Sequence, residues 1–166
     1  MLILLAACIP LGSEETPAPS DENPIIQVED LDITTGQIIY VPAYSEIYYA
    51  ADRTLSLAIT LSVHNTDLNH PIVLTSVRYY DAQGQLVNEF LSQPKQLGPL
   101  VATDFFIEQH DTSGGVGANF IVEWVAEQPV YEPVVEAVMI GTISSQGISF
   151  VSPGRVITQT GSSPAK

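Results

Sequence analysis

The chain has 166 residues, enough for one domain with a real core, and its 19 acidic against 5 basic side chains leave a formal net charge of −14. Arg53, Arg78, Lys95, Arg155 and Lys166 are scattered without a cluster, which excludes the positive footprint that nucleic acid or an anionic lipid surface requires. With 45% hydrophobic and 14% charged residues, the composition is that of a folded chain rather than a disordered one.

Residues 1–8 run from Met1 through an apolar stretch to Leu5-Ala6-Ala7-Cys8. This resembles a bacterial lipoprotein signal, in which small residues before a cysteine admit the signal peptidase and the thiol is then diacylated. Two acyl chains give a stable anchor, since each buried methylene contributes about 0.8 kcal/mol and one chain alone is marginal. Cys8 is thus the candidate lipidation site, with the membrane as the partner of that lipid and an extracytoplasmic address, on the periplasmic face or at the cell surface. The alternative reading of the same residues is a cytosolic protein with a chance apolar N-terminus.

Residues 9–32 are rich in Pro, Ser and carboxylates, without a hydrophobic period, and read as an acidic tether. Seven of the nineteen carboxylates lie before Ile33. Cys8 is the one cysteine, so no internal disulfide can form, and an acylated sulfur leaves no thiolate for a zinc or blue-copper site. No cofactor is expected.

Residues 33–158 read as the folded domain. An early strand is expected around Gln37 to Val41, followed by Ile47 to Tyr49. Leu55, Leu57, Ile59, Leu61 and Val63 then alternate strictly with polar or small residues, the signature of a half-buried strand. Ile72 to Tyr80 and Leu86 to Leu91 flank Asp81-Ala82-Gln83-Gly84 and form a predicted hairpin, with Gly84 supplying a positive φ. Pro99 to Glu108, Ala118 to Ala126, Val134 to Ile143, Ile148 to Val151 and the short Val156-Ile157 complete the pattern, and residues 159–166 read as a frayed tail. No segment shows helical spacing over three turns. The expectation is all-β: an immunoglobulin-like antiparallel β-sandwich of about seven to eight strands.

Five blocks carry a family resemblance: Ile39-Tyr40-Val41-Pro42, Leu61 to Asp67, Ser76 to Asp81, Gly114 to Trp124, and Gly147 to Phe150. Together they resemble the bacterial domain-of-unknown-function family 3124 across roughly Ile38 to Ile157. Members of that family are commonly described as exported or lipid-attached proteins, many of them from cyanobacteria. The resemblance implies a single domain and agrees with Cys8, but it implies no activity.

Candidate chemistry is sparse. Gly114, Gly115 and Gly117 could be mistaken for a phosphate cradle, but they precede a strand rather than a helix and lack a following Lys-Ser/Thr, so a tight turn is expected there. Asn119 is placed to pin that turn through its amide. His64, Asp67 and His70 could in principle meet a metal, yet Asn-Thr-Asp and Asn-His-Pro are turn formers and match no ligand spacing. Asp104, Glu108 and Asp111 lack the loop of a calcium site. No Gly-x-Ser-x-Gly elbow is present, and no carboxylate pair stands out for glycoside hydrolysis. Tyr40, Tyr44, Tyr48 and Tyr49 crowd one short region, and Tyr44, Tyr48 and Tyr49 with Gly114, Gly115, Gly117 and Asn119 make up the candidate binding surface, because tyrosine offers large contact area at low entropy cost. The functional expectation is a non-enzymatic binding or assembly module of the cell envelope with a protein or glycan partner and no nucleic acid. The alternative is an envelope hydrolase or metal-dependent enzyme using dispersed carboxylates or histidines.

Overall fold

A computed structural model describes residues 26–143 and 146–161. The signal with Cys8, the tether up to residue 25 and the end of the tail from residue 162 lie outside the described residues.

β1 (Thr35–Pro42) pairs on one side with β9 (Asn119–Ala126) and on the other with β12 (Arg155–Thr160). β5 (Ile72–Tyr80) lies on the far side of β9, and its outer edge is shared by β7 (Lys95–Leu97) and β6 (Leu86–Glu89). The facing sheet runs in the order β11 (Gln146–Pro153), β10 (Val134–Ile143), β4 (Ala58–His64), β8 (Ala102–Ile107). A two-stranded arm, β2 (Glu46–Ala50) with β3 (Arg53–Ser56), stands apart from both sheets. Every pairing is antiparallel.

The expected all-β sandwich forms, with twelve strands among the described residues because the arm and several short edge strands add to the main ones. The pairings β4 with β8 and β5 with β9 correspond to B with E and C with F of an immunoglobulin sandwich. The flanking strands differ: β1 joins β9, and β10 joins β4, each on the sheet opposite to the immunoglobulin order.

Alternation sets what is buried. Phe120, Val122, Trp124 and Ala126 of β9 point inward against Ile59, Leu61 and Val63 of β4 and Val135, Ala137 and Met139 of β10. In β5 the inward set is Ile72 and Leu74, then Val77 and Tyr79, because the register shifts between Leu74 and Ser76. Phe90 closes the open edge against Phe105, with ring centroids 5.4 Å apart. At the opposite edge one long run of chain changes sheets at Gly154, whose missing side chain leaves room for the Val135 carbonyl, 2.8 Å from where a Cβ would stand.

Residues 26–32, read as the end of the tether, hold a short 3-10 turn (Val28–Asp30), and the Asp32 amide donates to Glu127 Oε1 at 3.2 Å. β12 carries on to Thr160, two residues into the segment read as tail.

Candidate functional site

The tyrosine segment and the glycine loop, far apart in sequence, meet at one end of the sandwich. β1 leaves its sheet at Pro42, and the Ala43 amide donates to the Ala118 carbonyl at 2.9 Å. Ser45 then donates both its amide (3.1 Å) and its hydroxyl (3.2 Å) to the Gly115 carbonyl. Asn119 pairs with Pro42 in the adjoining ladder. Tyr44, Tyr48, Tyr49, Gly114, Gly115, Gly117 and Asn119 therefore share one end of the molecule.

The glycine loop forms the expected turn, a 3-10 turn over Gly115–Gly117 leading into β9. Gly115 needs its φ of +68°, whereas Gly114 is required for a different reason: a Cβ there would fall 1.9 Å from Tyr79 Oη and 2.6 Å from the Ala118 Cβ. The turn is pinned by the Asp111 carboxylate, which accepts the Ser113 amide at 3.0 Å, by the Ala82 amide donating to the Gly114 carbonyl, and by Ser45. The Asn119 side chain makes no hydrogen bond among the described residues, so the pinning expected of it falls to these groups instead. Tyr79 is fully buried beneath the loop, its ring tilted by 36° against Phe120 with centroids 4.8 Å apart. Its hydroxyl lies beside Ser45 without a hydrogen bond of good geometry, and burial pushes the phenol up to about 12, with the Asp111 charge acting in the same direction and Ser45 against it.

The tyrosines divide by role. Tyr48 and Tyr49 are 64% and 60% exposed on the arm, while Tyr44 is half-buried and rests 6.0 Å from the Phe150 ring. Tyr44 and Ile47 face Phe150, Val151, Ser152 and Pro153 across a shallow groove of about 300 Å³. The β11 wall of this groove is missing from the sequence-based candidates. Nothing in the local pattern around Phe150 distinguishes it from a core residue, and only tertiary folding brings it to Tyr44.

The histidine cluster is organised differently from a metal centre. His64 Nε2 sits 2.7 Å from Ser62 Oγ. Asp67 Oδ1 accepts the amides of Asn69 and His70 at 2.9 Å each, and Oδ2 accepts the Tyr131 amide at 3.2 Å. Asn65 supports the same corner, donating to the carbonyls of His70, Leu97 and Gly98. Burial raises the Asp67 pKa, but these three amides and the nearby His70 outweigh it and hold the carboxyl below its ordinary value. Among the described residues no group of three or more His, Cys, Asp or Glu side chains is placed to hold a metal ion. On the outer face of the larger sheet, Arg78 pairs with the carboxylate of Glu123.

The family model described as Protein of unknown function (DUF3124) matches residues 36–157, from the start of β1 into β12. The chain belongs to this family. For this DUF3124 protein, no curated protein and no solved structure gives a match. Among the described residues no helix is long and apolar enough to cross a membrane.

Proposed function

We propose that this DUF3124 protein is a non-enzymatic binding or assembly module, held on a bacterial envelope membrane by acyl chains on Cys8 and presenting its tyrosine arm and groove to a protein or glycan partner. The observation that supports it is the aromatic surface made by Tyr48 and Tyr49 on the arm and by Tyr44, Ile47 and Phe150 in the groove. Exposed tyrosines held on hydrogen-bonded backbone offer contact area with little entropy left to lose, the property that makes tyrosine common on recognition surfaces. The groove's wall of aromatic rings and Pro153 suits a sugar face or an apolar peptide side chain.

Two measurements test the two halves of this reading. Mass spectrometry of the protein from its native membrane should find a mature N-terminus at a diacylated Cys8; an intact Met1 with a free thiol would refute the anchor. Crosslinking in intact envelopes should give a defined adduct with the wild-type chain that disappears in Tyr48→Ser/Tyr49→Ser while thermal stability is unchanged. An adduct indifferent to those substitutions would refute the binding surface.

A further inference from the structure

Three connections between the sheets, residues 65–71, 98–101 and 127–133, lie at the end of the sandwich where the chain enters β1. Exposed apolar side chains collect there: Leu68 is 66% exposed, Leu100 65%, Tyr131 52% and Val101 45%. They are not loose tips. The Asp67 carboxylate takes the Tyr131 amide and its carbonyl takes the Leu100 amide at 3.2 Å, so the three connections form one braced platform. Leu100 sits at φ +59°, where a leucine is strained and glycine would be at ease, yet an apolar side chain is held outward there.

The chain enters the domain beside this platform. The Thr34 amide donates to the Ala126 carbonyl and the Asp32 amide to Glu127, which brings residues 26–34 to the same end. Cys8 lies 18 positions before Ile26, a reach of at most roughly 60 Å for an extended chain. Resting on the acylation of Cys8 proposed above, we propose that this end of the sandwich docks on the bilayer that holds the acyl chains, with Leu68, Leu100, Val101 and Tyr131 entering the headgroup layer. A short tether keeps the platform at high effective concentration near that surface, so a weak apolar contact suffices. The charge at this end selects the lipid. Glu29, Asp30, Asp32, Glu127 and Glu132 belong to the segments at this end, and segments 26–35, 65–71, 98–101 and 127–134 contain no Lys or Arg; the neighbouring cation, Lys95 of β7, is engaged by Thr103 Oγ1 at 2.7 Å. The fitting surface is therefore one of uncharged or zwitterionic headgroups. Docking in this pose turns the tyrosine arm, at the other end of β1, away from the membrane.

The test uses the full chain, coupled through Cys8, its one thiol, to a maleimide lipid in phosphatidylcholine vesicles with brominated acyl chains. A Tyr131→Trp reporter is compared with Tyr48→Trp on the arm; Trp124, common to both, is buried. Brominated lipid should lower the emission of the Tyr131→Trp reporter about twofold, as expected for a ring seated at the acyl boundary, and leave Tyr48→Trp unchanged. Adding Leu68→Ser and Leu100→Gly should restore the emission, and circular dichroism should show the fold intact, since glycine suits the backbone at position 100. Replacing part of the phosphatidylcholine with phosphatidylglycerol should weaken the quenching. Equal or absent quenching of the two reporters on vesicle-bound protein would overturn the docking, and quenching undiminished by anionic lipid would overturn the headgroup preference. Because the coupling is chemical, these outcomes do not depend on biological acylation, which the mass spectrum decides separately.

Discussion

Asp67 Oδ2 accepts the backbone amide of Tyr131 at 3.2 Å, joining residues 64 positions apart, while Oδ1 of the same carboxylate holds the amides of Asn69 and His70. One buried side chain thus secures two of the three sheet-crossing connections at the tether end. Removing it in Asp67→Ala orphans three amides and should cost about 2–4 kcal/mol, read as a lower urea midpoint. The sign of the pH effect follows from the direction of the shift. A carboxyl held below its ordinary value of 3.8 contributes its full stabilisation above that pH and loses it as the pH falls through the folded-state value. Asp67→Asn should therefore flatten the loss of stability below about pH 4, in addition to lowering stability at neutral pH.

Gly114 and Tyr79 form a second long-range dependency. A methyl at position 114 would overlap Tyr79 Oη and stand 2.6 Å from both Tyr79 Cζ and the Ala118 Cβ. Gly114→Ala should destabilise by about 2–4 kcal/mol through overpacking. Tyr79→Phe removes the most severe overlap and should recover part of that loss, so a double-mutant cycle is expected to show coupling of at least about 1 kcal/mol. Strict additivity would mean that the loop moves aside instead.

The same phenol makes a prediction at high pH. With its pKa raised from 10.0 to about 12, Tyr79 stabilises the fold fully below pH 10, and this contribution is lost as the pH rises from 10 towards 12, because the unfolded chain ionises first. Ultraviolet titration should show one late-ionising tyrosine, and Tyr79→Phe should remove it and make stability less steep between pH 10 and 12.

The parts of this fold legible in the sequence are those governed by short-range pattern. The alternation in Leu57 to Val63 and Phe120 to Ala126 identifies two central strands, and Gly84 takes the positive φ, +77°, that its hairpin demands. Two features are hidden by the same reasoning. Alternation continues unbroken from Leu55 to Val63, yet the chain leaves the arm and joins the sheet at Leu57, whose amide donates to Ser45 rather than into a ladder. In β5 the extra residue Thr75 interrupts the alternation, so the pattern cannot say which side chains face inward. The candidate site divides in a similar way. The tyrosines and glycines are conspicuous by residue type, whereas Phe150 becomes a groove wall only through the β10–β11 pairing. The role of Asp67 as a brace depends on a backbone donor at Tyr131, which carries no signature in sequence.

Leu100 joins stability to surface function in one residue. Its left-handed backbone costs about 1–2 kcal/mol in a leucine, while glycine there would give back roughly 0.5–1 kcal/mol through the greater freedom of the unfolded chain. Leu100→Gly should therefore raise stability by about 0.5–1 kcal/mol, measured by urea or thermal unfolding. Leu100→Ala separates the two contributions: it removes the exposed side chain but keeps the Cβ that causes the strain, so it should leave stability nearly unchanged. A gain in both variants would trace the cost to the exposed side chain, and a gain in neither would mean that the Asp67 carbonyl and its neighbours already absorb the strain. A gain confined to glycine would show that the fold carries a strained backbone at the position where it displays an exposed loop leucine next to Leu68, a local cost of the kind that active surfaces retain.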